Sequence, residues 1–374
     1  MEKVRRNLVI SAVNIRKGGT LTVLRDCLRY LSVRSDLRVT ALVHKRELCD
    51  YPGIEYIEIP WSIEGWGKRL KCEYVTMKGI SEKLQPVDLW LSLHDTTPNA
   101  TARHQAVYCQ TSFPFLKVRA RDFLMDKKIP LFALFTKYAY KKNVHRNDFL
   151  IVQQYWLRDG LSKMLHVDRN RFIVAPPKFV NPSFMDTSGQ ETVPVFLYPA
   201  SPDSHKNFEL LCEAAGILEK KLGSGAFKVI LTIDGTENKY ASWVHKKWGH
   251  LKSIDFHGFM SKEDLYACYG KAACLVFPSR IETWGLPISE FKPSGKPMLL
   301  ADLPYARESA AGAEVVSFFD INDAEDLAHQ MELVISGKIS NFGRIIPRKS
   351  EAPFAADWEI LFALLLQDES TSTR

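Results

Sequence analysis

Short runs of β-branched and other apolar residues alternate with helix-length amphipathic stretches from the start of the chain. Residues 8–13 form one such run, 19–34 an amphipathic stretch and 38–44 the next run. This alternation predicts parallel strands flanked by helices. Residues 54–59, 88–93, 106–110, 149–153 and 172–175 supply the further strands of one open sheet.

The pattern stops at Pro176-Pro177 and Pro182, because proline removes a backbone donor and fixes an extended conformation. An interdomain linker is expected at about 177–193, on the strength of that proline cluster. A second alternation follows, with strands at 194–198, 228–233, 253–257, 274–277, 297–300 and 315–319. The reading is therefore α/β, with two doubly wound parallel-sheet domains at 1–180 and 181–350. In the remainder, 351–374, a helix at about 354–366 has no strand after it and is expected to pack back on the first domain.

Composition changes little in this picture. A chain of 374 residues, 46% hydrophobic and 25% charged, has room for two cores and is neither disordered nor fibrous. Its seven cysteines form no Cys-x-x-Cys pair, and no leader-like run stands ahead of Asn7, so reduced thiols in a cytoplasmic protein are expected. Apolar runs such as 129–135 fall far short of the roughly 20 residues that span a bilayer. Charge is more informative. Between Lys117 and Arg146 stand nine Lys or Arg against two Asp, which accounts for the whole formal charge of +7. These residues surround the apolar stretch 129–135, a pattern that fits an anionic membrane surface at the inner face of the cytoplasmic membrane, or a solvated face over an ordinary core helix. No recognised nucleic-acid motif accompanies it, and nucleic acid is not expected as a partner.

Open α/β sheets bind ligands beyond the carboxyl ends of their strands, where loops lead into helix N-termini that favour anions. The strand at 274–277 runs into Pro278-Ser279-Arg280-Ile281-Glu282-Thr283-Trp284-Gly285-Leu286-Pro287-Ile288-Ser289-Glu290, and Pro287 suits a first helical turn. Glu282 and Glu290 are separated by seven residues with Gly285-Leu286-Pro287 between them. This segment resembles the large family of retaining glycosyltransferases that carries this Glu-x7-Glu signature, the glycosyl transferases group 1 or family 4 type. The resemblance covers nearly all of the C-terminal half and, more weakly, the N-terminal half. It implies a GT-B fold, two Rossmann-like domains facing a central cleft, with the sugar nucleotide in the C-terminal domain and the acceptor in the N-terminal one.

By this resemblance Glu282 binds hydroxyls of the transferred sugar and Glu290 the ribose diol, each carboxylate accepting two hydroxyl bonds. Thr283 and Trp284 stand where the family has a small residue and Phe, which leaves the pocket shape open. Lys206 with Asn207 matches the basic element that neutralises the departing diphosphate. Five residues before Lys206 the family often has an arginine; here Ser201 stands there, and Arg280 or His205 is the candidate replacement. Gly18 and Gly19 match a glycine loop near the donor phosphates, and Gly258-Phe259 a loop whose backbone meets the nucleobase. After the strand at 106–110 the family has a histidine beside the reacting centre; Gln110 occupies that place and His94 ends a neighbouring strand.

The expected reaction moves a hexose from a nucleoside-diphosphate sugar to a hydroxyl of a glycan or lipid-linked acceptor, with retention, in bacterial surface polysaccharide synthesis. Neither an Asp-x-Asp pair nor a His/Cys cluster occurs, so no metal and no cofactor is expected. Two rivals remain: a sugar-nucleotide hydrolase or epimerase on the same fold, and a binding module without turnover, for which Gln110 and Ser201 argue.

Overall fold

The computed structural model describes residues 5–178 and 193–367. Most of the expected linker and the 180/181 boundary lie outside them. The chain divides into two compact units, one of residues 1–111, 135–178 and 350–374, the other of residues 112–134 and 179–349.

The first unit is built on seven strands, β1 Arg6–Ala12, β2 Leu37–Val43, β3 Ile54–Glu58, β4 Leu89–Ser92, β5 His104–Tyr108, β6 Phe149–Val152 and β7 Phe172–Val174. They pair in the order β3-β2-β1-β4-β5-β6-β7, every pairing parallel. The second unit repeats the scheme with β8 Val195–Tyr198, β9 Lys228–Leu231, β10 Ile254–Phe256, β11 Cys274–Phe277, β12 Met298–Ala301 and β13 Val316–Phe319. Their order is β10-β9-β8-β11-β12-β13, again all parallel. Each predicted β stretch overlaps one of these strands. The central strands read as apolar runs because helices cover both faces of such sheets: β4, β8, β11 and β12 are buried along their whole length.

Both orders reverse once, between β1 and β4 and between β8 and β11, and it is at such a reversal that doubly wound sheets take ligands. The six-residue helix Leu286–Phe291 follows the β11 loop. The helix Gly18–Ser32 follows β1 and buries Leu21, Leu24, Leu28 and Leu31 at helical spacing.

The C-terminal helix, Trp358–Leu365, belongs to the first unit. Asp357 caps it by accepting from the Ile360 N–H at 2.9 Å. Just ahead of it the chain clasps β7, with Val174 N–H donating to Pro353 O at 3.0 Å and Ala355 N–H to Val174 O at 2.9 Å. Phe362, 1% exposed, stacks on Tyr30 with ring centroids 5.6 Å apart.

Residues 112–134 depart from the expected 1–180 domain, because their contacts lie in the second unit. Asp122 pairs with Arg280, Arg121 with Glu209, and Phe113 meets the His205 ring edge-on at 5.1 Å.

Removing the Phe362 ring leaves a cavity between helices and is expected to cost about 3–5 kcal/mol. Phe362→Ala should thus lower the urea midpoint of the first unit clearly, and a loss below about 1 kcal/mol would refute this packing.

Candidate functional site

Lys206 and Glu282 approach each other across the strand reversal of the second sheet. Lys206 sits in the turn Ser204–Lys206 after β8, and Glu282 in the loop after β11. Lys206 Nζ donates to Glu282 Oε1 at 2.6 Å, with both side chains 14% exposed. The two loops are tied beneath that pair. Tyr198, buried at the end of β8, donates to Lys206 O at 2.7 Å and so receives the Ser279 hydroxyl at 3.0 Å. Tyr305 donates to Ser279 O at 2.7 Å.

Gly285 turns the loop into its helix at φ +84°, a conformation that favours glycine, and a Cβ there would come within 3.3 Å of Ile288 and 3.5 Å of Phe277. Pro287 occupies the first turn. Trp284 is pinned by its indole N–H, which donates to Ser289 Oγ at 2.9 Å, and by its carbonyl, which accepts from Ser309. Thr283, Trp284, Leu286 and Pro287 are half-buried. Glu290 accepts from Tyr269 at 3.1 Å and lies 3.4 Å from the Tyr266 hydroxyl.

Arg280 and Asn207 have other employment. The Arg280 guanidinium grips Asp122 with two buried bonds of 2.8 and 3.0 Å and also donates to Lys117 O. Its charge is matched by that carboxylate. Asn207, at φ +59°, donates its amide to Ile321 O at 3.1 Å. After β10, Gly258 takes φ +84°, and a Cβ on it would come to 3.1 Å from Asp234; Phe259 is 90% exposed.

In the first unit, Gly18 and Gly19 open the helix after β1, exposed, with Gly18 at φ +70°. His94 is buried in a polar cluster. Arg69, which can only donate, lies 2.9 Å from Nδ1, so Nε2 carries the proton and donates to Ser11 Oγ at 3.0 Å. Burial first and Arg69 second hold this imidazole well below the usual histidine range. Gln110 spends its amide on Leu93 O at 2.6 Å, while its backbone N–H donates to Asp95 Oδ1 at 2.5 Å. Asp95 Oδ1 also accepts from Thr111 N–H at 3.0 Å and Tyr140 OH at 2.9 Å.

The basic run divides. Arg119 donates to Asn322 at 2.5 Å, Arg121 pairs with Glu209, and Arg146 donates to Ala100 O at 2.5 Å. Lys127, Lys128, Lys137, Lys141 and Lys142 remain exposed, on or beside the helix Lys128–Lys141. That helix buries Pro130, Ala133, Thr136 and Tyr140, yet its outward face carries Leu131, Leu134, Phe135 and Tyr138, 45–60% exposed. Nothing in the local pattern of residues indicates which face turns out.

Among the described residues no group of three or more His, Cys, Asp or Glu is placed to hold a metal ion, and no helix is long and apolar enough to cross a membrane. The seven cysteines are unpaired thiols.

Residues 183–345 match the family described as glycosyl transferases group 1. The match takes in both Lys206 and the Glu282-to-Glu290 loop. The chain is 25% identical over 178 residues to the O-antigen chain mannosyltransferase RfbU of Salmonella typhimurium, which is 47% of this chain and 48% of that protein. The alignment thus spans about half the length of that relative. The solved structure of WaaG, a glycosyltransferase involved in lipopolysaccharide biosynthesis, superposes with a TM-score of 0.64 at 15% identity, over 88% of this chain and 90% of that one. Anabaena HepE in complex with UDP and glucose gives 0.60 at 14% identity, over 89% and 91%. The fold is that of the GT-B glycosyltransferases.

Burial raises the Asp95 carboxyl to about 6, above its ordinary 3.8. Its preference for the protonated form stabilises the fold at low pH, and that contribution is lost as pH rises through about 6. Asn keeps the accepting oxygen, carries no charge to bury and tolerates the φ of +70° found here. Asp95→Asn should therefore be more stable than wild type at pH 8, by up to about 3 kcal/mol, with the gap closing toward pH 4. Equal unfolding midpoints at pH 8 would show that the carboxylate is not strained by burial.

Proposed function

We propose that this protein is a glycosyltransferase that moves a hexose from a nucleoside-diphosphate sugar to a hydroxyl of a glycan or lipid-linked acceptor, with retention of configuration, in bacterial surface polysaccharide synthesis. The observation that carries the reading is the 2.6 Å contact between Lys206 and Glu282 at the strand reversal. In a sugar nucleotide the anomeric carbon joins sugar to phosphate, so a cation for the phosphate and a carboxylate for sugar hydroxyls must be neighbours. The names of RfbU and WaaG and the UDP and glucose of HepE support the same chemistry.

The bond from the anomeric carbon to the diphosphate oxygen breaks as the acceptor oxygen bonds to that carbon on the same face. The acceptor proton passes to the departing phosphate oxygen. Lys206 meets the developing phosphate charge, with no metal required, and Glu282 orients the sugar. Glu290, held by Tyr269, takes the ribose diol, and the first unit handles the acceptor. The enzyme works in the cytoplasm on an anionic membrane face, reached by the helix Lys128–Lys141 with its exposed apolar stripe and lysines.

The two glutamates separate experimentally. Glu290→Ala should weaken binding of the free nucleoside diphosphate as well as of the donor, whereas Glu282→Ala should leave nucleoside diphosphate affinity unchanged while transfer falls. A hydrogen bond to a charged group is worth about 1.5–3 kcal/mol, so each loss should be roughly tenfold to a hundredfold. Calorimetry and transfer assays in excess EDTA read both. Donor binding and transfer unaffected by either substitution would overturn the site, release of free sugar alone would favour a hydrolase, an isomeric sugar nucleotide an epimerase, and restoration only by added metal would overturn the metal-free mechanism.

For the surface helix, replacing Lys137, Lys141 and Lys142 by Gln should weaken binding to phosphatidylglycerol vesicles at low salt, each charge contributing about 1 kcal/mol. Equal binding of variant and wild type would assign these lysines to solubility.

A further inference from the structure

The turn that presents Lys206 contains two buried polar atoms with no hydrogen-bond partner among the described residues, Ser204 Oγ and His205 Nδ1. Ser204 is 4% exposed and His205 7%. Leaving such atoms unpaired costs stability, and native structures keep few of them. Here two fall on consecutive residues directly before Lys206.

Their surroundings narrow the explanation. The His205 ring meets the Phe113 edge at 5.1 Å, and its carbonyl accepts from Arg280 N–H at 2.8 Å. Burial, then the charges of Lys206 and Arg280, hold the imidazole well below the usual histidine range, so it is neutral, with one ring nitrogen donating and the other accepting. Arg280, the other candidate for a second cation, is matched by Asp122. Among the described residues, Ser204 Oγ and His205 Nδ1 are thus polar atoms next to Lys206 in the chain that have no partner.

We propose that Ser204 and His205 hydrogen-bond the terminal phosphate of the bound nucleoside diphosphate, so that neutral donors beside Lys206 take the part of a second cation. This rests on the donor-site reading above. A terminal phosphate presents several acceptor oxygens, which suits a hydroxyl, an imidazole N–H and an ammonium arranged on one turn. An uncharged imidazole also adds no repulsion beside Lys206 when the site is empty, which a second cation would.

Calorimetric titration with UDP, GDP, dTDP and CDP, each beside its monophosphate, tests the inference. His205→Phe, which keeps the ring against Phe113, should weaken the preferred diphosphate at least tenfold while changing monophosphate affinity less than threefold. His205→Gln should recover part of the loss, and Ser204→Ala should show a smaller loss of the same kind. Diphosphate affinity within twofold of wild type in His205→Phe, or equal losses for diphosphate and monophosphate, would overturn the inference and leave the donor site standing. If thermal unfolding shows that His205→Phe does not fold, Ser204→Ala and His205→Gln decide by the same ratio. A wild type that binds none of the four diphosphates would overturn the donor-site reading, and this inference with it.

Discussion

A lysine and a glutamate held 2.6 Å apart at the point where the second sheet reverses its strand order is the constraint from which the rest of the site follows. Parallel neighbours β8 and β11 end on the same side, and because the chain winds away from them in opposite directions, the loops after them are free to converge. Convergence alone would leave two long, mobile side chains. Here the loops are tied beneath the pair by Tyr198, Ser279 and Tyr305, all buried and hydrogen-bonded, so the backbone under Lys206 and Glu282 is fixed before any ligand arrives. Preorganised charge of this kind does not have to be rearranged during a reaction.

A second, more deeply buried pair does different work. Arg280 and Asp122 are both 3% exposed at the side chain, and the guanidinium spends a further N–H on the Lys117 carbonyl. A buried pair like this adds little net stability but is costly to break, so it specifies which segment packs against the β11 loop. It fixes residues 112–134 to the second unit, although they follow β5 of the first in the chain. Arg121 on Glu209 and Arg119 on Asn322 extend the same attachment, which spends part of the basic run on folding rather than on a partner.

The fold was legible in the sequence because parallel strands covered on both faces must be apolar throughout, and loops between them must not be. That signal is local, and strands such as β4, β8, β11 and β12 carry it along their whole length. Pro287 was legible for a related reason, since a helix start constrains residue type within a few positions, whereas Glu282, Gly285 and Glu290 stood out only through the resemblance to the Glu-x7-Glu signature. Contacts between distant segments left no such trace. Nothing near Asp122 indicates that its partner is Arg280, 158 residues away, and Arg280 accordingly read as a phosphate ligand. Tyr269 beneath Glu290 and Arg69 on His94 were invisible for the same reason, and Asn207 read as a donor contact although its amide is taken by Ile321 O.

The two reversals, with the same strand order, are finished differently, and the difference bears on where a proton could go. Beyond β4 in the first unit the polar groups largely satisfy one another: His94 has its tautomer fixed by Arg69 and Ser11, Gln110 has its amide on Leu93 O, and Asp95 is buried under three donors to one oxygen. A neutral imidazole whose Nδ1 is already accepting from Arg69 would have to give up that bond to take a proton, and an amide cannot take one at all. Beyond β8 in the second unit, Ser204 Oγ and His205 Nδ1, directly before Lys206 in the chain, instead have no hydrogen-bond partner among the described residues. On the proposed assignment of the acceptor to the first unit, these groups beyond β4 are poorly placed to act as base, whereas Lys206 beside the proposed phosphate favours developing negative charge. On the proposed chemistry that asymmetry leaves the departing phosphate as the base, and its basicity is set by how strongly Lys206 and its neighbours hold it.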